Sequence, residues 1–290
     1  MKSVYETFIG GYTGYWNYLL GEMFHPSWHN YFWWLLGLSV GIWLLEIVFP
    51  WRTEQGAIRK DFWLDGFYMF FNFFLFSLIG YNAVSNVAVD LFNRGLSAVG
   101  MENTVAIQIG GWPAWAQLVF LFVIADFLQW NIHRLLHHVP WLWEFHKVHH
   151  SVEEMGFAAH LRYHWMETIV YKSLQYVPLS MIGFGLDDFF VVHIIGVAIG
   201  HLNHANLNIT WGPFRYILNS PNMHIWHHAR NIPQDRKGVN YGLSLSVWDY
   251  LFGTAWVPAS GREEQLGFSG DERFPRTFLN QITYPFRKPR

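Results

Sequence analysis

The sequence predicts an all-α, polytopic membrane protein, with four to five transmembrane or re-entrant helices and a histidine-rich helical cap on the cytosolic side. Three observations predict it. Hydrophobic residues make up 52% of the 290-residue chain and aromatic residues 20%, while Asp, Glu, Lys and Arg reach only 14%, against about 25% in an ordinary soluble domain. Five long stretches lack those four charged residues entirely. Of the 16 histidines, all but His25 and His29 fall between positions 133 and 228. A span consumes about 20 residues, so the length suits one membrane domain over 1–290.

The elements follow in order. A charge at the bilayer centre costs roughly 2.5–3.5 kcal/mol even on a lenient insertion scale, so charge-free stretches mark the spans. They are 23–45, 66–89, 103–125, 173–186 and 189–214. Each of the first three is long enough to cross. The fourth is short and carries Pro178, Gly183 and Gly185; it either crosses with help from its flanks or forms half of a re-entrant hairpin with the fifth. In both cases the pair returns the chain to the side it left. Basic residues gather in 51–61 (Arg52, Arg59, Lys60), in 133–166 (Arg134, Lys147, Arg162) and after 205, whereas 86–112 has only Arg94. Positive-inside logic puts the first three in the cytoplasm and the N-terminus outside, with 206–290 as a cytosolic cap and tail. The first 20 residues lack the layout of a cleaved secretory signal and read as mature protein.

Composition also excludes classes of function. The net charge is −2 with no run of like charge, which removes a nucleic-acid partner. There are no cysteines, so disulfides, thiolate zinc sites and cysteine nucleophiles are absent, and any metal must be held by His or carboxylate.

The histidines carry the chemistry. The pattern His-x-x-His-His occurs twice, as HKVHH at 146–150 and HIWHH at 224–228, where chance predicts roughly 0.05 copies. Positions i, i+3 and i+4 fit within about 100° of helix surface, so each box can aim three imidazoles at one point. His133 and His137, four apart at the end of the third span, share a helix face, and His201 and His204 sit at the inner end of the last apolar stretch. Isolated His25, His29, His138 and His193 read as interfacial or hydrogen-bonded residues. Imidazole suits Fe, Cu, Zn and Ni alike, but eight or more ligands exceed what one tetrahedral zinc uses and point to two ions. A metal-bound imidazole gives its other N–H to a carboxylate or carbonyl. Asp126, seven residues before His133, and Glu167 are therefore second-shell candidates, with Asp249 a further one.

The series D126-FLQWNI-H133-RLL-H137, W143-EF-H146-KV-H149-H150-S151, R162-Y-H164-WM-E167, H204-A-N206, H224-IW-H227-H228-AR and N240-Y241-G242 through W248-D249 resembles the fatty acid hydroxylase / sterol desaturase superfamily of membrane di-iron enzymes over residues 120–255. The resemblance implies two iron ions as cofactors and O2 as co-substrate. It implies as ligands His133, His137, His146, His149, His150, His224, His227 and His228, with His204 from an HxN element. His164 fits an R-x-H-P-x-E element in which Trp165 replaces the usual proline, and His201 is an additional ligand candidate. Box spacing is similar to that of alkylglycerol monooxygenase and of bacterial sterol-desaturase-like proteins.

Function expected on this basis is hydroxylation of an unactivated C–H bond of a lipid reached from the bilayer: a fatty acyl chain, sterol or ether lipid. Phe70, Phe71, Phe73 and Phe74 read first as packed or lipid-facing and only second as walls of a lipid path. HPSW at 25–28 is not the haem element of a fused cytochrome b5 domain, and no flavin or dinucleotide fingerprint occurs. A separate electron donor is therefore implied: a ferredoxin, a cytochrome or a pterin. The corresponding location is a bacterial inner membrane or the ER, with the site facing the cytosol. Desaturation is the competitor within the class, and a divalent-metal transporter the competitor outside it. Transport would want ionisable residues at mid-span on several helices, where only His193, and Lys172, Asp187 and Asp188 near the ends, come close.

Overall fold

The computed structural model describes residues 2–100 and 105–287, and among them every regular element is helical. Helix α1 (Val4–Phe24) opens with a capping box, Ser3 Oγ accepting from the Glu6 amide and Glu6 closing back on the Ser3 amide. Helices α2 (Tyr31–Val48), α3 (Phe62–Ala98) and α4 (Ala114–His138) are the three that are long and apolar enough to cross a membrane. Helix α5 (Pro140–His150) follows α4 after one residue. Proline at 140 forces Val139 out of helical geometry and then starts the next helix. Helix α6 (Trp165–Tyr171) runs on through a π turn at Lys172–Tyr176 into Val177–Ser180. Helix α7 (Leu186–His204) follows, and α8 (Pro221–His227), α9 (Val247–Leu251) and α10 (Phe278–Thr283) are short.

Three expected boundaries move. The first span begins at Tyr31 rather than 23, because 23–30 are the end of α1 and a turn holding Pro26. Helix α1 itself was not marked by charge; it packs along the second half of α3, where Gly11 closes on Ala83 and the Asn82 side-chain Nδ2 donates to the Gly11 carbonyl at 3.0 Å. The second span is longer than 66–89, since α3 continues to Ala98 through π turns and a kink at Gly80. The third starts at Ala114, not 103: Pro113 precedes it, and Ile107 bridges Ile182 instead of joining the helix. Positions 103 and 104 lie outside the described residues.

Buried apolar side chains bind α2, α3 and α7 together through Leu35, Met69, Phe74 and Val197, and α4 to α6 through Leu121 and Leu179. Polar ties fix the ends of these helices beneath the cap. Asn206 exchanges hydrogen bonds with the Arg52 backbone, and Glu46 accepts from the amides of Phe157 and Asn206. Arg162, fully buried, pairs with Asp61 and Asp65 and donates to Ser151. A buried cation needs such partners, and these lock the loop before α3 to the start of α6.

Candidate metal centre

Nine histidines from four helices converge in two adjoining groups. His133 and His137 come from the last turns of α4. The bend at Val139 turns α5 back so that its box faces them, and α8 brings the second box from the cap. His133, His137, His146, His150 and His227 place one ring nitrogen each within 4.8 Å of one another, and so do His149, His204, His224 and His228. All nine are at most 7% exposed. Neither box aims at one point, which corrects the expectation from the helical wheel. His146 and His150 face one group while His149 faces the other, and the second box splits as His227 against His224 and His228. Neighbouring residues on a helix lie about 100° apart, so each box straddles the two centres.

Hydrogen bonds at the outer nitrogens fix the tautomers. A carbonyl only accepts, so Nδ1 must donate in His133 (to Tyr241 O, 2.8 Å), His137 (to Lys237 O, 3.3 Å), His149 (to Arg162 O, 3.1 Å), His204 (to Gly200 O, 2.7 Å) and His227 (to Val239 O, 2.7 Å). His146 Nδ1 stands 2.8 Å from Glu167 Oε2. Each inward Nε2 of a neutral ring then carries a lone pair. Yet His133 and His146 Nε2 are 3.1 Å apart, and His149 and His204 Nε2 are 3.3 Å apart. Two lone pairs cannot hydrogen-bond to each other, and a cation between them resolves the conflict. Burial drives the His149 pKa down to about 3, so proton uptake is not the alternative. The inward nitrogens of His137, His150 and His227, and both of His228, are buried with no partner. Orphaned, all-imidazole donors of this kind fit one metal ion per group.

Of the proposed supporting residues, Glu167 stands where the rule for metal-bound imidazoles puts a carboxylate. Asp126 does not, a second correction: its carboxylate accepts from the amides of Ser244 and Leu245 and from Trp248 Nε1, tying α4 to the segment before α9. Asp249 likewise accepts from the Tyr241 and Gly242 amides, Trp130 and Thr254; it reaches His133 only through the Tyr241 backbone. Two tentative ligands also lie elsewhere. His164 caps α6, with Nδ1 accepting from the Met166 amide and Nε2 donating to Ile282 O at 2.8 Å, so both its nitrogens are engaged. His201 faces Ser39 Oγ at 3.2 Å and His160 Nδ1 at 3.1 Å, and the His160 ring in turn lies 5.3 Å from that of His204. Three residues along a helix turn the side chain through about 300°, but here packing against α2 takes the ring.

What the residue pattern did not reveal is the segment 237–241, whose carbonyls at Lys237, Val239 and Tyr241 orient three imidazoles. Backbone acceptors leave no mark in side-chain identity. A cavity of about 440 Å³ adjoins both groups, reached by His133, His146, His149, His204 and His224. Phe73 and Phe74 line it, whereas Phe70 stacks on Phe74 and Phe71 packs on Phe278.

Residues 118–254 match the fatty acid hydroxylase family. Among the relatives, an ornithine lipid hydroxylase of Rhizobium tropici is 33% identical over 177 residues, covering 61% of this chain and 52% of that protein. The human alkylglycerol monooxygenase is 33% identical over 135 residues, covering 46% of this chain and 29% of the relative. A very-long-chain aldehyde decarbonylase of Oryza sativa subsp. indica is 28% identical over 163 residues, covering 51% and 25%. The chain thus spans about half or less of the length of these three relatives. No solved structure matches it.

Proposed function

We propose that the protein is a membrane oxidoreductase that uses O2 to hydroxylate an unactivated C–H bond of a lipid, with two irons held by the paired histidine groups. What carries this is the set of inward lone pairs facing one another across about 3 Å at His133–His146 and His149–His204. Such an arrangement is stable around cations and costly without them. His133, His137, His146, His150 and His227 would hold one iron, and His149, His204, His224 and His228 the other. Bound iron supplies the oxygen activation and electron storage that attack on a saturated carbon requires.

The chain's own residues do the rest. Glu167 and the carbonyls of 237–241, Arg162 and Gly200 aim the imidazoles. The cavity between α3, α4, α6 and α7 admits an acyl-sized substrate and excludes bulk water from the reacting carbon. Its continuity with the apolar helices favours entry from the bilayer, with α6 and α7 as a hairpin that brings the site back to the cytosolic side. Electrons come from a separate ferredoxin, cytochrome or pterin.

The test is metal content by plasma mass spectrometry on detergent-purified protein, with Mössbauer spectroscopy after iron-57 loading. Two coupled irons per chain are expected. His149→Ala should leave the protein in the membrane, lower its iron content and abolish lipid hydroxylation. One zinc and no iron, or full turnover in the variant, overturns the proposal.

A further inference from the structure

The cavity is not uniformly apolar. Away from the histidine groups it is lined by Lys172, Tyr176, Tyr31 and His193. Lys172 lies five residues beyond Glu167, about 7–8 Å of helix axis, and His193 lies eleven before His204, about 16 Å along α7. Tyr31 meets His193 edge-on with ring centroids 5.2 Å apart, and the half-buried Lys172 ammonium sits 4.8 Å from the ring of Tyr81. Among the described residues, no carboxylate pairs with Lys172, and no protein acceptor takes a hydrogen bond from Lys172, Tyr31, Tyr176 or His193. The two cavity-lining acids are occupied, Glu167 by His146 and the His164 amide and Asp126 by three N–H donors. Glu22, the acid near Tyr31, is taken by the Phe32 amide.

A half-buried ammonium without an anion is costly, and the hydroxyls of Tyr31 and Tyr176 and the His193 ring can donate beside it. We infer that Lys172, with Tyr31, Tyr176 and His193, forms a pocket for the anionic group of the substrate, so that the lipid is an acidic amphiphile carrying a carboxylate or phosphate. This rests on the proposed function, which it narrows. The anion would be held one to three helical turns from the iron-binding groups, so the oxidised carbon lies well down the chain rather than beside the charge. A sterol or a neutral ether lipid offers this pocket hydroxyl acceptors but no counter-charge.

Binding to the iron-loaded, full-length protein in neutral-lipid nanodiscs tests this, by displacement of a fluorescent fatty acid. The competitors are palmitate, hexadecyl phosphate, hexadecanol and inorganic phosphate. Palmitate or hexadecyl phosphate should compete about tenfold or more better than hexadecanol, the size of one charge-assisted hydrogen bond; which of the two is stronger identifies the anion. Lys172→Met should erase that preference while leaving hexadecanol unchanged, and Lys172→Arg should keep it. Equal competition by palmitate and hexadecanol in the wild type overturns the inference without any variant. So does a Lys172→Met protein that loses all competitors alike, or inorganic phosphate that matches the amphiphiles. Iron content, measured on the same samples, separates the two proposals. Iron without charge preference sinks only the pocket, while charge preference without iron sinks only the oxygenase.

Discussion

Glu167 is the one carboxylate among the described residues that meets a clustered imidazole. It does so while its other oxygen accepts the His164 amide, so one side chain both caps α6 and aims His146. Replacing its carboxyl by an amide should weaken the grip of His146 without disturbing the helix cap. Glu167→Gln is expected to lower iron affinity about 10- to 100-fold, read as iron retained against a graded chelator series, with the protein still membrane-inserted. Unchanged retention would mean the bond is structural only. At this scale the sequence was legible to an uneven degree. The spacing of the boxes anticipated eight of the nine clustered histidines, and the rule for metal-bound imidazoles named Glu167, which stands beside His146. The same rule misled for Asp126, because helical periodicity places a residue on a face but does not say what covers it. Segment 244–248 arrives there from 118 residues away in the chain. His164 and His201 misled for the same reason: each has partners on a distant element that spacing cannot reveal.

Short elements decide what the long ones can do. The segment 237–241 crosses over the ends of α4 and α8 and presents three carbonyls to His133, His137 and His227, and Gly238 makes the approach possible. A Cβ there would stand 2.7 Å from Tyr241 Oη and 2.8 Å from His137 Nδ1. Gly238→Ala should therefore displace His137 and deplete the first group selectively, so that iron per chain falls toward one while the second group keeps its metal. Loss of both, or of neither, would show that the segment does not act on that group alone. Helix α10 is tied to the same region by His164, whose Nδ1 must be unprotonated to cap α6. Burial lowers the His164 pKa to about 4, against the partial opposition of the Ile282 carbonyl. The unfolded chain takes up this proton near pH 6.5 and the folded one near 4, so stability falls as pH drops through that window. His164→Asn keeps a capping acceptor and removes the titration, and melting temperatures between pH 6.5 and 4 should decline less steeply than in the wild type. Parallel slopes would discard this role. The long apolar elements were readable from absence of charge because lipid penalises it, whereas α1 was not: its stability comes from packing on α3 through Gly11 and from its capping box.

At the scale of the molecule, two demands meet at one surface. The helices must satisfy every backbone group internally to cross lipid, while the cap must hold nine neutral imidazoles in a dry space. Carbonyls outside five of the rings and one carboxylate outside His146 meet this demand, so those imidazoles are oriented before any metal arrives. The inward lone pairs still repel, and that conflict is shared among α4, α5, α7 and α8 rather than confined to one element. Metal binding should thus be felt as global stability and not as helix formation. Treatment with a strong iron chelator is expected to leave the far-ultraviolet circular dichroism essentially unchanged while lowering the melting temperature by about 5 °C or more. Restoring ferrous iron should raise it again in a concentration-dependent way, as mass action on the folded state requires. A melting temperature indifferent to chelation and to added iron would mean that protein contacts alone hold the groups together. Loss of helical signal on chelation would instead mean that the orienting bonds form only after the metal, contrary to the pre-set tautomers. Charge-free stretches anticipated three helices apolar enough to cross a membrane, and the repeated boxes anticipated two histidine clusters that could hold metal. Their coupling into one stability term arises from contacts between residues such as His149 and His204, 55 positions apart, and only the folded chain brings these together.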